Sequence, residues 1–107
     1  MGLDVSLFNE KNECVFDCYV THNLNKMAKE AGIYEVMWRP DEIMCVEAQD
    51  LAEKLMEGLQ SMIRRKWYFE QFNPSNGFGD YEGFVSVVTK YATACFENPT
   101  AKIEVSR

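Results

Sequence analysis

A chain of 107 residues can bury one core, so a single domain over residues 1–107 is expected. Hydrophobic residues at 47%, including seven Phe, five Tyr and two Trp, exclude a disordered chain. A formal net charge of −6 disfavours nonspecific nucleic-acid binding. No apolar run approaches the ~18 residues of a membrane span, so a soluble protein without membrane attachment is expected.

The opening Met1-Gly2-Leu3-Asp4-Val5 carries neither a basic stretch nor a long apolar one, so no secretory signal is expected. Ser6 satisfies the myristoylation pattern after Gly2, but a buried first strand would hide that site. Leu3, Val5 and Leu7 alternate with Asp4, Ser6 and Phe8, and the polar Asn9-Glu10-Lys11-Asn12 precedes a second alternation. That pattern predicts a β-hairpin. Cys14, Phe16, Cys18 and Val20 share one face of the second strand, with Glu13, Val15, Asp17 and Tyr19 on the other. Thr21 then reads as a helix N-cap, Leu24, Met27, Ala28 and Ala31 as an apolar stripe, and Gly32 as a left-handed stop.

From Ala48 the positions Leu51, Ala52, Leu55, Met56, Leu59, Met62 and Ile63 predict a long helix with one face in the core. Arg64-Arg65-Lys66-Trp67 follows, the chain's one basic run, which reads as a solvated helix end suited to the helix dipole. Residues 67–72 predict a short or bent helix that Asn73-Pro74 must end, and a loop over 73–80 leads to Asp80 as the cap of a further helix. Phe84, Val87, Val88, Tyr91 and Cys95 form that helix's core stripe. Asn98-Pro99 stops it, and Ile103 and Val105 alternate in a closing strand. The predicted class is α+β: a small antiparallel sheet, made of the N-terminal hairpin and the C-terminal strand, covered on one face by about three helices.

Four cysteines and one histidine invite a metal site, since Cys14, Cys18 and His22 recur at four-residue intervals. On a strand, however, four residues span ~13 Å, far beyond a shared zinc at ~2.3 Å or the ~7 Å Cα separation of a disulfide. The cysteines are expected as reduced thiols, mostly buried, with Cys45 the one most exposed or reactive. No metal or cofactor is expected, because EF-hand, zinc-protease, phosphate-loop and dinucleotide patterns are missing. Enzymatic chemistry of the Cys-His or Ser-His type would have to use His22, whose place in a helix's first turn favours the neutral imidazole.

Binding residues are easier to nominate. His22 and Asn23 beside the first cap, the Trp38-Arg39 pair, and Asn76-Gly77-Phe78 in the glycine-containing loop offer aromatic, guanidinium and amide groups for a ligand or partner. Each has a plainer role as well: capping for His22 and Asn23, a buried Trp38 with Arg39 satisfying helix-end carbonyls, and a mere link for residues 76–79.

Taken in order, Met1-Gly2-Leu3-Asp4-Val5, Thr21-His22-Asn23-Leu24, Gly32-Ile33-Tyr34, Trp38-Arg39-Pro40, Asn73-Pro74, Asn76-Gly77-Phe78-Gly79, Tyr81-Glu82-Gly83 and Val105-Ser106-Arg107 span nearly the whole chain. In these segments the chain resembles a small, uncharacterised protein family of tailed bacteriophages and prophages. Phe78 departs from a pattern that often has Trp there, and it keeps an aromatic ring. The resemblance implies a phage-encoded accessory protein acting in the cytoplasm of the infected bacterial host. Two functions are compatible with it: a non-enzymatic interaction protein that binds a host or phage protein, with an oligomer allowed, or an anti-defence binder of a small nucleotide signal. A small enzyme using His22 is the third reading.

Overall fold

The computed structural model describes residues 2–107, and the elements follow the hydrophobic patterning closely. Strand β1 (Gly2–Phe8) pairs antiparallel with β2 (Cys14–Thr21) on one side and with β3 (Lys102–Ser106) on the other, so the order is β2-β1-β3. Asn9 closes the hairpin, its Oδ1 accepting from the backbone N–H groups of Lys11 and Glu13. The register slips between Leu7 and Phe8, which sets Phe8 opposite Cys14. Leu3, Val5 and Leu7 are fully buried on one face. Across the ladders Val5 meets Cys18 and Val105, and Leu7 meets Phe16 and Ile103.

After β2 the chain makes a 3-10 turn, His22–Leu24, then α1 (Asn25–Glu30), which Gly32 ends at a φ of 77°. A short helix missed by the sequence reading follows, α2 (Tyr34–Trp38), with a second 3-10 turn over Pro40–Ile43. The long helix α3 (Gln49–Arg64) and the short α4 (Lys66–Glu70) lead to α5 (Tyr81–Glu97). Among the described residues five helices therefore accompany the sheet where about three were expected.

The α3–α5 pair and the inner sheet face enclose the core. Phe84, Val88, Tyr91 and Cys95 recur at helical spacing on α5, and Tyr91 stacks on Phe16 of β2 with centroids 5.5 Å apart and planes 7° from parallel. Fully burying a Phe side chain, as at Phe84, contributes about 1.5–3 kcal/mol. This packing lays β2 along α5, and the end of the strand comes to lie beside the start of the helix. One expectation fails: Ile63 is exposed, because Met62 already fills the inward position at the end of α3. No helix among the described residues is long and apolar enough to cross a membrane.

Candidate functional site

A cleft of about 590 Å³ opens between the end of β2, the His22–Leu24 turn and the start of α5. Val20, Leu24, Phe84 and Val87 supply apolar walls. Two rings stand out of its rim, Tyr19 at 54% exposure and Phe78 at 69%. Its polar groups are those of Tyr19, Thr21, Asn23 and Asp80, and among the described residues no Lys, Arg or His lines it.

Local chemistry builds each part. Thr21 is extended, with its Oγ1 3.3 Å from the Asn23 N–H, which caps the turn and leaves the Asn23 side chain on the cleft wall. On the other side Asp80 caps α5 by accepting the Gly83 N–H at 2.7 Å, so its charge also meets the positive end of the helix dipole. Asn73 fastens the base of the loop, its Oδ1 accepting from the Tyr81 N–H at 2.7 Å. Asn76 Oδ1 accepts from the Phe78 N–H at 2.9 Å, which turns the loop tip and presents the ring. Gly79 lies against Thr21 and Leu24 at a φ of 95°, so the loop is drawn onto the turn at a position where a side chain has no room.

The nominated residues fall into two groups. Asn23 and Phe78 line the cleft, and Asn76 and Gly77 shape the loop that holds Phe78. His22 points to the other side of its turn, where its ring lies 6.3 Å from that of Trp38. Trp38 itself is only 3% exposed and stacks on Tyr34 at 5.4 Å, so an exposed Trp-Arg pair does not exist. Among the described residues His22 Nε2, Trp38 Nε1 and the Tyr91 hydroxyl are buried without a hydrogen-bond partner. Arg39 stands on a separate surface. It donates to the Tyr34 hydroxyl at 3.3 Å and to Glu42 at 2.7 Å, contacts that raise its pKa further. The helix-end carbonyl expected as its partner is taken by Arg107, which donates to Trp38 O at 3.2 Å and to Asp41 at 3.1 Å.

The cysteines also redistribute. Cys45 is buried rather than exposed, and burial raises its thiol pKa; Cys14 is the exposed one. Cys18 and Cys95 are each pushed up to about 12, chiefly by burial, so neither is a ready thiolate. Among the described residues no group of three His, Cys, Asp or Glu side chains is placed to hold a metal ion.

Sequence reasoning missed Tyr19 and Asp80 as members of the site. Tyr19 carried a usable signal, an aromatic ring on the solvent side of a half-buried strand. Asp80 was read as a cap, which it is, and its second position on the cleft rim depends on β2 lying alongside. No protein-family model, curated protein or solved structure matches the chain.

Proposed function

We propose that the chain is a phage-type accessory protein that works without catalysis, by docking a segment of a host or phage protein into the cleft between β2 and α5 in the cytoplasm of the infected cell. The observation that carries this reading is the cleft's chemistry among the described residues: apolar walls, two exposed rings, one carboxylate and no Lys, Arg or His. Interfaces concentrate their energy where rings meet an apolar pocket. A segment with an apolar or aromatic anchor next to a Lys or Arg is the matching partner, since its cation would face Asp80.

A nucleotide signal is a poorer fit, because its phosphates would meet Asp80 and find no guanidinium or ammonium; Arg39 lies on the other surface, bonded to Glu42. A photoreactive benzoylphenylalanine at position 78, used in infected cells, tests the docking reading. It should capture a discrete partner, and Val87→Glu, which charges the cleft wall, should abolish the capture. Capture unaffected by Val87→Glu in a folded protein would refute the cleft as the docking site. A thermal-shift panel of nucleotides should show no stabilisation, whereas a bound ligand at a hundred times its Kd would add about 2.7 kcal/mol.

A further inference from the structure

Outside the cleft, the most prominent ring that carries cations beside it is Trp67, 74% exposed at the start of α4 and directly after Arg64, Arg65 and Lys66. The Arg65 guanidinium lies 4.1 Å above the Tyr68 ring, and neither Arg64 nor Arg65 makes an ion pair among the described residues. Lys66 Nζ reaches Glu82 Oε1 at 3.0 Å and sits 5.9 Å from the Tyr81 ring centroid, which fixes this patch against the first turn of α5. The cleft is lined by other residues at that helix start, Asp80, Gly83 and Phe84. Patch and cleft thus adjoin one helix start.

Their chemistries are complementary as well. The cleft asks for an apolar or aromatic anchor with a cation beside it, and the chain itself exposes that combination at Trp67. We propose that a second copy of this chain occupies the cleft, with Trp67 of one protomer inserted between the walls of the other and Arg64 or Arg65 facing Asp80. Because patch and cleft adjoin the same helix turn, a two-fold axis near Glu82 makes both contacts at once and closes the assembly as a dimer. This deepens the docking reading and rests on it: the dimer masks the cleft until a partner segment of the same chemistry displaces Trp67.

Intrinsic fluorescence read together with sedimentation tests it on the full chain. Trp38 is buried in each protomer, so a concentration-dependent change in emission reports Trp67. Emission should shift to the blue as the mass doubles. Trp67→Ala should weaken the dimer about tenfold or more, as loss of a central anchor does, and Val87→Glu should do the same while leaving Trp67 emission red. Mixing the two variants should restore association through one contact, the first supplying an intact cleft and the second an intact Trp67. If Val87→Glu does not fold, Phe78→Asp in the exposed loop takes its place. A monomer at every concentration, or a dimer that Trp67→Ala leaves intact, would overturn the proposal. Capture from position 78 that Val87→Glu abolishes shows in that case that the cleft reading itself stands, and capture that Val87→Glu leaves unaffected shows that both fall.

Discussion

Gly77 and Gly79 flank Phe78 and have different jobs. Both have positive φ, 79° and 95°, but a Cβ on Gly77 would stand in open space, whereas one on Gly79 would lie 2.8 Å from Thr21 Cγ2. Gly77→Ala should therefore cost only the left-handed backbone strain, about 1 kcal/mol. Gly79→Ala adds a clash with the turn that forms the cleft wall and should cost about 2–3 kcal/mol. Chemical denaturation checks the order, and equal losses would mean that the loop does not press on the turn. Asp50 is a second residue with a measurable signature. Its Oδ2 accepts from the Val46 and Glu47 N–H groups at 3.0 Å each, and these bonds hold the carboxyl below the usual Asp range. With a depressed folded-state pKa, its contribution is present above the ordinary Asp value and is lost as pH falls through the folded one. Asp50→Asn should lower stability at neutral pH by about 1 kcal/mol, solvent screening included, and the difference in Tm from the parent should vanish in strong acid. A pH-independent difference would contradict the assignment.

At the scale of elements, the segment from Tyr34 to Ile43 is held by the far end of the chain. Arg107 bonds to the last turn of α2 through Trp38 O and to Asp41 in the following 3-10 turn. Arg107→Ala should lower stability by about 1 kcal/mol and speed amide exchange in α2, while β1 and α5 exchange as before. Unchanged exchange in α2 would show that the contact does not hold it. This segment is also where the sequence was least legible. Strands β1 and β2 announce themselves by alternation, and α3 and α5 by long apolar stripes, that of α5 closed by the Asp80 cap and the Asn98-Pro99 stop. Helix α2 has five residues, too few to show a period, and its buried ring, Trp38, stacks on Tyr34 of the same helix and lies beside His22 of the distant 3-10 turn. The candidate site was half legible for a related reason. Asn23 and Phe78 sit where turn chemistry puts them, but a 3-10 turn sends His22 and Asn23 to opposite sides, and no local pattern reveals that division. Arg39 attracted notice by its company with Trp38, and its actual partners, Tyr34 and Glu42, give it a local structural job.

For the whole molecule, a single sheet face packed by helices leaves one end of β2 meeting one end of α5, and the cleft arises where those ends fail to close. The lack of Lys, Arg and His among its described residues, in a chain of net charge −6, is what supports the proposal of a basic or apolar-basic segment as its occupant. Two surfaces therefore compete for the role of binding face: the cleft with Asn23 and Phe78, and the Arg39 face with Glu42. Isothermal titration of the partner captured from position 78 against purified Phe78→Asp and Arg39→Ala separates them most directly. Docking in the cleft predicts about a tenfold or greater loss of affinity for Phe78→Asp, with Arg39→Ala close to the parent. Loss of binding in Arg39→Ala with Phe78→Asp unaffected would contradict it.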